Sequence, residues 1–170
     1  MATVIRGDDN FDTAFAKSVA IIADVKAQNV SGGATLGGDW NNRNLNTEID
    51  DPEDIVSISS NQFTLQAGTY LIEWACPAFK VDRHQTRLWN VTASALVDVG
   101  TVAYAYSGSG IEDSNTSTGA VIQTISSATA FKLQHYTQTA QATNGLGVNA
   151  HSGSSTNSVY TIVKIHKIGA

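Results

Sequence analysis

Residues 61–92 read NQFTLQAGTYLIEWACPAFKVDRHQTRLWNVT, and the alternation inside them decides the fold class. Tyr70, Ile72, Trp74 and Cys76 fall on one side of an extended chain, while Thr69, Leu71, Glu73 and Ala75 fall on the other. A period of two sustained this long marks a strand with one buried face. A short apolar strand at Phe63–Leu65 and a turn at Gly68 precede it, and a connection containing Pro77 and a third strand follow. In that third strand His84, Thr86, Leu88 and Asn90 share one face, and Gln85, Arg87, Trp89 and Val91 share the other.

The same reading carried outward predicts strands at Ser18–Lys26, with Val19, Ile21 and Ala23 on one face, and at Ile55–Ser59. Trp40–Thr47 is extended and anchored by Trp40 and Leu45. Further strands are predicted at Gly100–Tyr106, with Val102, Tyr104 and Tyr106 on one face, and at Gly119–Ser126, Ala130–Gln138 and Ser158–Lys167. Turn residues separate them, and no stretch has the pattern of a helix of normal length. An all-β fold of eight to ten strands follows, arranged as an antiparallel two-sheet sandwich.

Composition narrows the function classes. A chain of 170 residues suits one domain with a real core. Its net charge of -5 and its lack of clustered Lys and Arg argue against a general affinity for nucleic acid. One cysteine, Cys76, leaves no intrachain disulfide, so packing or assembly must supply stability. No apolar run reaches the roughly eighteen residues of a membrane helix, and the first residues lack the order of a signal peptide. The expectation is a protein made in a cytoplasm, without membrane insertion.

Residues 1–17 differ from the rest. Two isolated apolar anchors, Phe11 and Phe15, sit in a polar context that cannot bury enough surface to order itself. This segment is read as an arm that docks on a partner, and residues 18–170 as the folded domain. The acidic stretch 48–54 carries five carboxylates, which suit either a calcium site or, with greater weight, a solvated turn closed by Pro52.

Catalytic chemistry is hard to find. His84 and His135 lie on predicted strands beside Gln85, Arg87 and Gln134, where structural histidines bonded across strands are expected. No nucleophile elbow, phosphate loop or dinucleotide fingerprint is present. Neither catalysis nor a metal or cofactor is expected. Recognition fits better, because loops at the ends of a sandwich commonly carry it. Tyr136, Gln138, Asn144 and Asn149 offer a planar ring with nearby amides, a set suited to sugar.

Several fragments in order carry a resemblance: Trp40-Asn-Asn-Arg43-Asn-Leu45-Asn46, Asn61 to Tyr70, Ala75-Cys-Pro77-Ala, Arg83 to Thr92, Phe131 to Thr139, Asn144-Gly145-Leu-Gly147 and Val159 to Ile165. Together they resemble jelly-roll domains of bacteriophage virion proteins of the tail-fibre type. Those are similar to the globular heads of the complement and tumour necrosis factor superfamily. The resemblance implies a jelly roll of ten strands packed as a homotrimer. The last strand is compatible with that: Val159, Thr161, Val163 and Ile165 share one face and Tyr160, Ile162, Lys164 and His166 the other, so both faces carry apolar residues. Such a strand is either a subunit interface or a deeply buried central strand. Tyr160 and Ile162, with Phe11 and Phe15, are the assembly candidates.

The functional expectation is a non-enzymatic virion structural protein, the trimeric head of a tail fibre or similar appendage. It would contact the host surface, with cell-surface polysaccharide as the candidate ligand, and dock on other virion proteins through residues 1–17. The alternatives are a trimeric capsid decoration protein anchored by the same arm, and a soluble lectin-like module.

Overall fold

The computed structural model describes residues 19–152 and 156–169. They form eleven strands and, among the described residues, no helix: β1 Val19–Lys26, β2 Asp39–Asn42, β3 Thr47–Asp50, β4 Val56–Ser59, β5 Gln62–Leu65, β6 Gly68–Phe79, β7 Asp82–Asn90, β8 Ala95–Ala105, β9 Ser114–Ile125, β10 Thr129–Thr137 and β11 Ser158–Gly169. Phe11 and Phe15 lie outside the described residues.

The strands form two antiparallel sheets. One has the order β3-β1-β11-β6-β9, and the other β4-β5-β10-β7-β8 with β2 also on β10. The last strand, β11, sits between β1 and β6, so the two ends of the domain meet in the middle of one sheet. Between the sheets lie Phe63, Ile72, Leu88, Phe131, Leu133 and Ile165, all fully buried. Phe63 and Phe131, paired across β5 and β10, stack with centroids 5.6 Å apart. Burial of each such side chain is worth about 1.5–3 kcal/mol.

Local chemistry explains the joints. Ser60 and Asn61 both take positive φ, 53° and 61°, which builds the two-residue turn whose twist matches the β4–β5 hairpin. Asp82 also has positive φ, and its carboxylate accepts hydrogen bonds from the backbone and hydroxyl of Ser107 and from the Thr139 hydroxyl. A buried polar ladder ties the sheets together. Trp74 Nε1 donates to Thr86 Oγ1 at 2.8 Å, and Thr86 Oγ1 lies 2.8 Å from Ser117 Oγ, which donates to the Thr101 carbonyl.

Several expectations are corrected. Pro77 lies inside β6, not in a connection; β6 has lost its β11 neighbour beyond Ala75, so one side of the strand is free of ladder demands there. Trp40–Thr47 splits into β2, a link containing the buried Leu45, and the start of β3. The acidic turn contributes three residues to β3, and Asp51 caps the backbone N–H groups of Ile55 and Val56. In β1 the buried positions include Ala20 and Ile22, while Val19 and Ile21 face the opposite side. The sequence placed Val19 and Ile21 on one face without saying which face meets the core. Both faces of this strand are apolar, so alternation alone cannot choose between them.

Candidate functional face and the polar network beneath it

The solvent face of the six-stranded sheet carries the densest set of recognition chemistry. Directly paired residues of neighbouring strands share a face. Trp40 pairs with Tyr136, which pairs with Gln85; Asn42 pairs with Gln134, which pairs with Arg87; Lys132 pairs with Trp89. The alternate residues, Phe131, Leu133, His135 and Thr137, are fully buried. The two sides of β10 are therefore divided, with Gln134 on the outer side itself covered by its neighbours.

On that face the Arg87 guanidinium carbon lies 4.0 Å from the Trp40 ring centre and 4.6 Å from that of Trp89. Arg87 Nε donates to Gln134 Oε1 at 2.9 Å, and Gln134 Nε2 donates to Asn42 Oδ1 at 3.0 Å. Tyr136 sits tilted against Trp40 at 5.7 Å. Arg83 Nη1 donates to Gln138 Oε1 at 3.2 Å at one end of the face. Three strands thus present a guanidinium held between two indoles and keyed by an amide chain.

Beneath this face, inside the sandwich, lies a network centred on Arg43. The side chain is fully buried, and its Nε donates to Thr161 Oγ1 at 2.7 Å and its Nη1 to the Pro77 carbonyl at 3.0 Å. Nη1 also lies 3.5 Å from His135 Nδ1, and His135 Nε2 lies 2.9 Å from His84 Nδ1. Arginine has donors only, which assigns the tautomers. His135 Nδ1 accepts, its Nε2–H donates to His84 Nδ1, and the His84 proton sits on Nε2. That nitrogen, Arg43 Nη2 and Asp24 Oδ2 are buried without a hydrogen-bond partner among the described residues.

Burial, reinforced by the Arg43 charge, pushes His84 down to about 4 and holds His135 well below the ordinary imidazole value. The Cys76 thiol is pushed up to about 11 by burial. These groups are closed to solvent and locked to one another, an arrangement that positions strands rather than substrates. The cross-strand hydrogen bond expected between structural histidines is present at His84 and His135. Arg43 carried no assigned role in the sequence. Its flanking Trp40 and Leu45 were the available signal that this link dips into the core.

The structure divides the four residues expected to bind sugar. Tyr136 and Gln138 lie at the solvent face just described. Asn144 and Asn149 belong to the loop after β10, where the Asn144 carbonyl accepts from Gly147 N–H and Asn149 Nδ2 donates to Ser31 Oγ. The sequence did not bring Trp40, Arg87 and Trp89 together, because they come from strands separated along the chain.

The other sheet also has an unusual exterior. Its outward residues include Ile21, Leu71, Ala75, Ile122 and Ile162, with Ile122 at 64% exposure. Polar relief comes from His166 and Glu73, 3.5 Å apart, and from Lys164. A depression of about 520 Å³ beside Trp74, Gly119 and Ile162 opens on this side. Tyr160 does not belong to it. Its ring is 6% exposed and its hydroxyl donates to the Val30 carbonyl, so this assembly candidate serves the fold of its own chain. Val159, read on one face with the buried Val163, is 46% exposed instead, beside a register shift between β1 and β11.

No family model matches the chain, and no curated protein matches it. Solved structures do. The globular domain of zebrafish complement 1qA protein superposes with a TM-score of 0.57 at 12% identity, covering 89% of this chain and 98% of that one. The fold is that of the complement 1q- and TNF-like jelly roll. Murine APRIL at pH 5.0 matches at 0.58 and 10% identity over 89% of this chain and 98% of its own. Eiger TNF from S. frugiperda matches at 0.54 and 11% over 88% and 91%. At these identities the likeness establishes the shared fold.

Proposed function

We propose that the chain is a non-enzymatic, self-associating head of a bacteriophage virion, a homotrimer that contacts the host surface. The observation that carries the self-association is the apolar exterior of the five-stranded sheet. Ile122 and Ile162 are turned away from the core, and a depression that a second copy can fill lies beside Ile162. Obligate interfaces of about 2,000 Å² or more resemble a core cut in half, and an apolar sheet exterior has that character. The jelly-roll likeness supports threefold symmetry. The ordered sequence fragments from Trp40 to Ile165 support the virion. The docking role falls to residues 1–17, and the particle is the place of action, after synthesis in the host cytoplasm.

Light scattering on the full chain tests the assembly. The expected mass is about three times 17.9 kDa. Ile162→Asp, which places a charge in the interface, is expected to give the single-chain mass with unchanged β-sheet circular dichroism. A monomeric wild type would overturn the reading. Binding of the full chain to host cells then separates an appendage head from a capsid decoration protein, which would bind capsids instead.

A further inference from the structure

We propose that the solvent face of β2, β10 and β7 binds an acidic polysaccharide, one whose sugar rings carry carboxylates. The first ground is charge segregation. The chain carries a net charge of -5, yet the outward positions of these three strands hold Arg83, Arg87 and Lys132 and no carboxylate. The acids nearest in register, Asp39 and Asp82, stand at the ends of the face and are engaged locally, Asp39 Oδ1 by the Trp40 backbone N–H and the Asp82 carboxylate by Ser107 and Thr139. A cationic patch on an acidic protein selects a local anion without attracting polyanions to the whole surface.

The second ground is preorganisation. The Arg87 fork is packed by Trp40 and Trp89, and its Nε is held by Gln134. Among the described residues only its Nε has a hydrogen-bond acceptor, and the residue is partly exposed. A guanidinium already fixed in one rotamer loses little entropy when it takes a carboxylate in bidentate fashion. The third ground is the company it keeps. Trp40, Tyr136 and Trp89 provide planar apolar surface for the C–H faces of sugar rings, while Gln85 and Gln138 provide amides for hydroxyls. A stretch of single-stranded nucleic acid would also stack on such rings. Three cations over this area and a net negative chain favour the saccharide, with its lower charge density.

Equilibrium binding of the full chain to oligogalacturonate at physiological ionic strength tests this, with neutral dextran and a thymidine oligonucleotide as the other probes. The expected result is binding of the uronate, none of dextran, and oligonucleotide binding weaker than that of uronate. Arg87→Lys keeps the charge but loses the fork and should weaken uronate binding about tenfold. Arg83→Gln, at the exposed edge where folding is not at stake, should weaken it about threefold. No uronate binding by the wild type, unchanged affinity in both variants, or tighter binding of the oligonucleotide would each overturn the proposal. Mass measured on the same samples keeps this separate from assembly, since a monomer that binds uronate retains the site and loses only the trimer.

Discussion

Arg43 is the residue whose environment most exceeds what its neighbours in sequence announce. A fully buried guanidinium is costly to desolvate, and here it is offset by hydrogen bonds to a hydroxyl, a carbonyl and an imidazole, with a coulombic contribution from the buried Asp24 carboxylate. Lysine could not satisfy these three acceptors in one geometry. Arg43→Lys is expected to lower the unfolding free energy by about 2–3 kcal/mol, read from the shift of the urea midpoint. Gly119 makes a second residue-scale case. A Cβ there would come within 2.1 Å of the Trp74 indole, so Gly119→Ala should cost about 1–3 kcal/mol and alter the near-ultraviolet dichroism of Trp74. Cys76, buried and held as a thiol, should resist alkylation in the native protein at pH 8 and react only on unfolding.

Elements bring a pH dependence that no single residue shows. β7 and β10 pair His84 with Thr137 and place His135 beside it, both imidazoles neutral and facing Arg43. Their folded-state values lie below the ordinary 6.5, so between 6.5 and about 4 the unfolded chain binds protons that the folded chain refuses. Stability is therefore complete above pH 6.5 and falls on acidification, by about 1.4 kcal/mol per pH unit for each histidine. Asp24, raised by burial, works in the opposite direction nearer pH 4. Asp82, lowered chiefly by its hydrogen bonds to Thr139 and Ser107, adds a further loss below its ordinary value of 3.8. Thermal melts from pH 8 to pH 5 should show a falling midpoint. His135→Gln, which cannot take up a proton, should flatten that slope, and an unchanged slope would contradict the assignment.

At the scale of the whole molecule, connectivity sets the order of events. β11 lies between β1 and β6, so the five-stranded sheet cannot close until the last strand has arrived. Contacts this distant along the chain make folding slow, on the order of milliseconds to seconds. Removing residues 158–170 should leave a chain without the far-ultraviolet signature of a native sheet, because β1 and β6 would each lose a partner. A folded truncation product would show that the remaining strands can re-pair. The same topology turns one apolar side of β11 to the core and the other to the exterior, and for that reason assembly and folding share this strand.

The sequence by itself determined that the chain is an all-β, antiparallel two-sheet sandwich, because the period of two over Tyr70–Cys76 and the alternation of Phe131 and Leu133 are local; the jelly-roll form was what the family resemblance implied. It also marked the last strand as apolar on both sides. It could not say which side of β1 faces the core, because Val19, Ile21, Ala20 and Ile22 satisfy either register. Nor could it turn Tyr160 inward, since a bulge in β11 itself, where Tyr160 and Thr161 stand opposite the single residue Asp24, decides that. The Trp40, Arg87 and Trp89 stack and the Arg43, His135 and His84 chain arise where strands far apart in sequence are laid side by side. Only the tertiary structure brings those groups within interaction distance, and packing across the sandwich then dictates which side chains meet solvent and which meet one another.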